Sequence, residues 1–225
     1  MDIVQTMRGR LVVSCQAAET SPLHATEHIV ALARAAVLGG ARGVRIEGVR
    51  NVAAVREAID LPIIGITKVA QPGFDVYITP ALEDVRRLAE AGADVIAFDA
   101  TDRPRPVPVK DIVAEIGRLG KVGMADISTL DEARQAVAAG ADFVGTTLSG
   151  YTPYTVAASA PDFVLMQDLA AASIPFVAEG RIWEPAEARR ALEIGAAFVV
   201  VGSAITRPDE IARRFADALV GGRVE

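Results

Sequence analysis

A phrase that recurs along the chain restricts its fold more than any other feature. GGARGVRIEG (39–48), AGADVIAFDA (91–100), AGADFVGTTL (139–148) and IGAAFVVVGS (194–203) share one grammar. Each leaves the end of a helix through Gly and a small residue, enters a β-branched apolar run, and closes on polar or small residues. Gly suits the left-handed position just past a helix C-terminus. A short, continuous apolar run suits a strand buried on both faces. LVVSC (11–15), PIIGIT (62–67), KVGMAD (121–126) and PFVAEG (175–180) supply further runs of this type.

Strands are therefore expected at 11–15, 43–47, 62–66, 95–99, 121–125, 142–147, 175–179 and 197–201. Segments with apolar 3/4 spacing lie between them, among them 82–92, 129–140 and 184–195. Ser128 or Thr129, followed by Asp131 and Glu132, starts the helix at 129–140. Pro185 suits the first turn of the helix at 184–195. QPGFDVYITP (71–80) is the irregular stretch and reads as a long loop carrying a short extra strand. Alternating β and α units with no linker predict a single-domain TIM (β/α)8 barrel over residues 1–225. An open, doubly wound dinucleotide-binding sheet is disfavoured, because Ser14-Cys15-Gln16 stands where a G-x-G-x-x-G would follow the first strand.

Composition narrows the function classes. A net charge of −6 with no dense Lys/Arg cluster argues against a nucleic-acid partner. Cys15 is the only cysteine, so an internal disulfide or thiolate metal site is excluded. The opening residues lack the apolar core of a signal peptide, and no run of about 18 apolar residues suggests a membrane span. A cytoplasmic location is the expectation. Assembly is not legible, and a homo-oligomer is compatible with the chain.

In a TIM barrel the chemistry sits at the C-terminal ends of the strands. Here those exits carry Gln16; Arg45 and Glu47; Lys68; Asp99, Thr101, Asp102 and Arg103; Asp126; Thr146, Thr147 and Ser149; Glu179, Gly180 and Arg181; Gly202 and Ser203. Strands seven and eight end in Gly, where these barrels commonly bind phosphate through backbone N–H groups. The plain alternative is that the glycines close tight turns. Lys68 is either a surface charge or a base whose pKa burial and the neighbouring Arg45 depress. Glu179 is either a partner for Arg181 or Lys68, or a second acid/base. His24 and His28 stand four apart, but with no third ligand in view they read as a solvated face of the first helix. Tyr151 and Tyr154 line or shield the pocket, and Trp183 reads as packing.

At these exits the chain resembles the bacterial N-acetylmannosamine-6-phosphate 2-epimerase family. The stretches that carry the resemblance are VSCQ (13–16), GVRIEG (43–48), PIIGITK (62–68), YITP (77–80), IAFDATDRPRP (96–106), ADIST (125–129), GTTLSGYT (145–152), AEGRI (178–182) and VVVGSAITRP (199–208). They span nearly the whole chain in order. The resemblance implies epimerisation at C2 of an open-chain sugar phosphate, without metal or cofactor. Lys68 matches the catalytic lysine and Glu179 the catalytic glutamate. Gln16, Arg45 and Asp126 match residues that hold the sugar and its acetamido group, and Gly180, Gly202, Ser203 and Arg207 match the phosphate grip. The loop YTPYTVAASAPD after strand six is poorer in charge than the family pattern leads one to expect.

Two other readings compete. One is a different phosphate-binding barrel. A metal-dependent pentose-phosphate epimerase would have histidine at strand ends, and a thiamine-phosphate synthase would have a richer acidic cluster for Mg2+. The other is a non-catalytic sugar-phosphate sensor, which would not need Lys68 or Glu179.

Overall fold

The computed structural model describes residues 3–156 and 159–220. Helix α1 (Ile3–Met7) precedes β1 (Leu11–Cys15). Strands and helices then alternate: α2 (Thr26–Leu38), β2 (Gly43–Glu47), α3 (Val49–Ala58), β3 (Ile63–Ile66), α4 (Leu82–Glu90), β4 (Val95–Asp99), α5 (Val109–Arg118), β5 (Val122–Asp126), α6 (Leu130–Ala138) and β6 (Phe143–Gly145). A 3-10 turn (Thr146–Leu148) leads on to α7 (Phe163–Ala171), β7 (Phe176–Glu179), α8 (Pro185–Ile194), β8 (Val199–Val201), α9 (Ser203–Thr206) and α10 (Pro208–Val220). The strands pair in parallel, each with its sequence neighbour, and β1 also pairs with β8, closing a TIM barrel.

The recurrent phrase performs the turn it was expected to perform. Gly40, Gly92, Gly140 and Gly195 take φ of 97°, 96°, 99° and 125°, a region that L side chains enter only with strain. Each glycine thus lets the chain leave a helix and re-enter the sheet within two or three residues. At the start of α6 the Thr129 hydroxyl accepts from the Glu132 amide at 3.3 Å, and the Glu132 carboxylate accepts from the Thr129 amide at 3.0 Å. This reciprocal cap satisfies donors the helix cannot. Pro185 opens α8, as expected.

The apolar strands divide into two cores. Met7 from α1, Ile64, Ala97, Met124, Phe143, Phe198 and Val200 fill the barrel interior. The Phe143 and Phe198 rings meet there edge to face, with centroids 5.6 Å apart. Val13, Val44, Ile46, Ile63, Phe98 and Val199 point outward and are covered by the helix layer. Burial on both faces is why the strands read as continuous apolar runs. Cys15 belongs to the outer layer, and burial pushes its thiol up to about 12, leaving it unreactive.

The irregular stretch 71–80 forms no strand. It makes two isolated bridges, Lys68 with Ile78 and Gln71 with Phe74. The Val69 amide donates to the Tyr77 carbonyl at 2.9 Å, and the Asp99 amide donates to the Ile78 carbonyl at 3.0 Å. The segment thereby folds back across the exits of β3 and β4 and presents Tyr77 to the barrel mouth. Among the described residues, no helix is long and apolar enough to cross a membrane.

Candidate active site

The strand exits enclose a cavity of about 620 Å³. Of the residues expected there, Gln16, Arg45, Lys68, Glu179, Gly180, Gly202, Ser203 and Arg207 all line it. Asp126 does not. Its side chain is fully buried beneath the cavity floor, where it is held by Arg45.

That floor is an ion network drawn from four strand exits. From β2, Arg45 Nη2 donates to Asp126 Oδ2 at 2.6 Å, and its Nη1 donates to Asp126 Oδ1 at 3.2 Å. The same Nη1 makes a short contact with Glu179 Oε2 at the end of β7. Thr147, just past β6, donates to Asp126 Oδ1 at 2.7 Å and lies 3.3 Å from Glu179 Oε2. Gly145 makes this convergence possible. A Cβ there would lie 2.4 Å from Met124 Cε and 3.1 Å from Asp126 Oδ1, inside contact distance. Thr146 fixes the backbone of Glu179 in both directions, donating to its carbonyl at 2.9 Å and accepting from its amide at 3.1 Å.

Burial sets the electrostatics. It would lower the pKa of the Arg45 guanidinium, but Asp126 and Glu179 outweigh it and keep Arg45 charged. Two carboxylates therefore share one cation. Burial pushes Glu179 up to about 7, against the pull of Arg45 and with help from the Asp126 charge. Its Oε1 has no hydrogen-bond partner among the described residues, so the cavity side of the carboxyl is free to exchange a proton. Lys68 is reachable from the cavity, yet the surrounding walls strip part of its hydration. That desolvation and the Arg45 charge lower its pKa, against the opposing carboxylates Glu47 and Glu179. A carboxyl raised toward neutrality and an amine lowered toward it thus face one cavity, as acid/base chemistry near neutral pH requires.

The opposite side is built from β7, β8 and α9. Gly180 takes φ 110°, turning the chain sharply out of β7. The leading amides of α9 have no partners within the helix. α9 is anchored to β1 through the Thr206 hydroxyl, which donates to the Ser14 carbonyl at 2.7 Å. Gln16 Nε2 donates to Ser14 Oγ at 2.8 Å, on the same side. Arg207 is not free, as its place one turn into the helix implied. Its Nη2 lies 2.9 Å from Asp209 Oδ2, and its Nη1 lies 3.0 Å from Glu210 Oε1.

Several exit residues fall elsewhere than the sequence implied. Asp99 is fully buried and spent on the 99–105 loop, accepting from the Thr101 hydroxyl at 2.6 Å and from Arg103. Tyr154 turns away and donates to Glu132 at 2.5 Å. Tyr151 does line the cavity. Trp183, read as packing, is a cavity wall, and Arg214 of α10 stacks over its ring at 4.1 Å. His24 lies in the turn before α2 rather than on a helix face, with Nδ1 3.3 Å from the Ala17 carbonyl. Thr147 and Tyr77 also line the cavity, and the sequence assigns neither a role. Thr147 is marked by its place at a strand exit, whereas Tyr77 reaches the cavity through an irregular loop with no periodic signal; both lie in stretches that carry the family resemblance.

The profile of the family described as "Putative N-acetylmannosamine-6-phosphate epimerase" matches residues 29–220. The bifunctional enzyme NanE/NanK of Brucella melitensis is 50% identical over 218 residues, which are 97% of this chain and 42% of that protein. The chain thus spans less than half the length of that relative. Among solved structures, the N-acetylmannosamine-6-phosphate 2-epimerase from Clostridium perfringens superposes with a TM-score of 0.95 at 43% identity, covering 97% of this chain and 96% of that one. A nitroalkane oxidase from Streptomyces ansochromogenes, at 17% identity and a TM-score of 0.65, shares the fold alone.

Proposed function

The chain belongs to the N-acetylmannosamine-6-phosphate epimerase family, and from that premise we propose that it interconverts N-acetylmannosamine 6-phosphate and N-acetylglucosamine 6-phosphate. The observation that carries this reading is the pairing of Lys68 and Glu179 on one cavity, with pKa values displaced toward each other. The two sugars differ only in configuration at C2. In the open-chain form C2 lies beside the C1 aldehyde, so its hydrogen is acidic.

Neutral Lys68 takes the C2 proton, and the electron pair of the C–H bond moves into C1–C2 while charge accumulates on O1. Arg45, held charged at the floor of the cavity, stabilises that enolate through the field it sets up. Glu179, through Oε1, handles the protons on the sugar oxygens, including ring opening. Once rotation about C2–C3 has turned the planar enolate over, the Lys68 ammonium, exchanged with solvent, returns a proton to the opposite face of C2 and completes the inversion, with no net oxidation. Lys68 and Glu179 acting one on each face is the competing assignment. Gln16 holds the acetamido group, and Asp126 acts by holding Arg45. The reading is that of a cytoplasmic enzyme of amino-sugar and sialic acid degradation acting on a small sugar phosphate. Phe215 and Leu219 are exposed on α10, which supports a homo-oligomer.

The direct test is proton NMR of N-acetylmannosamine 6-phosphate in D2O with purified protein. Both epimers should appear, each carrying deuterium at C2. Substrate that retains its C2 proton and configuration would remove the reading.

The 6-phosphate is assigned to Gly180, Gly202, Ser203 and Arg207, at the exits of β7 and β8. A charge-assisted hydrogen bond contributes roughly 1.5–3 kcal/mol. Arg207 already has Asp209 and Glu210 as partners, so the lower end applies. Arg207→Ala should raise KM for the 6-phosphate about tenfold and leave kcat nearly unchanged, because the phosphate does not react. KM for the unphosphorylated sugar should stay put. Equal KM values in wild type and variant for both sugars would return Arg207 to the role of a helix surface residue.

A further inference from the structure

We propose that Thr147 is a positioning residue whose hydroxyl divides the Arg45 guanidinium between two carboxylates, loosening the hold of Nη1 on Asp126 so that it can serve Glu179. The inference rests on the reading of Glu179 as a proton-handling group and assigns its environment a cause.

A threonine hydroxyl has one proton. Thr147 Oγ1 stands 2.7 Å from Asp126 Oδ1 and 3.3 Å from Glu179 Oε2, so that proton belongs to Asp126. The shorter bond to Asp126 Oδ1 therefore comes from Thr147 and not from Arg45. Consistent with this, the bond from Arg45 Nη1 to Asp126 Oδ1 is long, at 3.2 Å, whereas the bond from Nη2 to Oδ2 is 2.6 Å. Nη1 instead makes its closest contact with Glu179 Oε2. Without the hydroxyl, Oδ1 of the fully buried Asp126 would keep only the long bond from Nη1, and an acceptor so weakly served is costly. The nearest available donor is Nη1. Drawing it closer would tighten the long arm of the Arg45–Asp126 pair and leave Glu179 with weaker support for its anion.

The charged and titratable groups facing Glu179 are Arg45 from β2, Lys68 after β3 and Asp126 from β5. Of these, Arg45 is the opposing charge that Thr147 steers. Loss of its support leaves the desolvation of Glu179 less opposed, so the pKa of Glu179 rises. The form that turns over carries one proton on the Lys68–Glu179 pair. The acid limb of kcat/KM marks addition of a second proton, and it therefore moves upward with Glu179.

Thr147→Val preserves shape and removes the hydroxyl. Its acid limb should move up by roughly half a unit to one unit, lowering the rate at pH 7 about two- to fivefold, with KM at the pH optimum within about twofold of wild type. Thr147→Ser should restore the wild-type limb, which a merely space-filling role would not require. The carboxyl carbon-13 signal of Glu179, titrated without substrate, should shift in the same direction, and it reads Glu179 even if the protein does not epimerise this sugar. An unmoved carboxyl titration in Thr147→Val would overturn the inference while leaving the proposed activity intact. Absent turnover by wild type with a displaced titration in the variant would sink the activity and keep the inference. Should Thr147→Val fail to fold, Thr147→Ala removes the same hydroxyl and is judged by the same titration.

Discussion

Lys68→Met is expected to lower kcat by about 10²–10⁴, the usual loss on removing a general base, while sugar-phosphate binding is retained. The thioether matches the length of the lysine stem and takes up no proton. Lys68 makes no ion pair among the described residues and is open to the cavity, so its removal leaves no buried charge without a partner. Thermal stability should therefore stay near that of wild type, separating lost chemistry from lost fold. The pH profile carries a second signature. Desolvation and Arg45 lower the Lys68 pKa, so the alkaline limb of wild-type kcat/KM should lie below the ordinary lysine value of 10.5. That limb should vanish in the variant. In D2O, exchange at C2 should fall with turnover. A Lys68→Met protein with near-native kcat would discard Lys68 as the base.

Glu179→Gln should also cost about 10²–10⁴ in kcat, because the amide keeps the shape and hydrogen-bond reach of the carboxyl but cannot exchange its proton. Arg45 retains Asp126, so the floor of the site should hold. In wild type the acid limb should lie near the displaced Glu179 value of about 7, well above an ordinary carboxyl, because burial disfavours the anion. Below that value the pair carries two protons and loses its free base. The two limbs are properties of the coupled pair, and single-residue variants assign them. With Lys68 as sole base at C2, Glu179→Gln should still wash deuterium into C2 more readily than it inverts the centre. With one residue on each face, washout should persist from only one epimer. Full washout from both epimers in both variants would defeat both assignments.

The barrel was legible because its determinants are local. A strand buried on both faces must be apolar throughout, and a helix that returns to the sheet in two or three residues needs a left-handed exit. The runs 43–47, 95–99, 142–147 and 197–201, preceded by Gly40, Gly92, Gly140 and Gly195, write both requirements into the chain. The strand ends were legible too, except that β6, expected to run to 147, stops at Gly145 and passes into a 3-10 turn; with those ends came the candidates Lys68, Glu179, Arg45, Gln16, Gly202 and Ser203.

What the sequence alone determined was which residues reach the mouth of the barrel; the tertiary structure decided which of them meet there and in what order they share protons and charge. Asp99 and Asp126 illustrate the difference. Both are aspartates that end an apolar strand, and nothing local distinguishes them. Packing gives Asp99 to Thr101, Arg103 and Arg105 in its own loop, and gives Asp126 to Arg45 from the far side of the barrel. Asp126 thereby sinks below the cavity, Arg207 is claimed by Asp209 and Glu210, and Thr147 comes to stand between two carboxylates. Local periodicity depends on a residue's neighbours along the chain. A shared guanidinium depends on distances across a closed barrel, between side chains 81 and 134 positions apart in sequence, and those distances exist only once the barrel has closed.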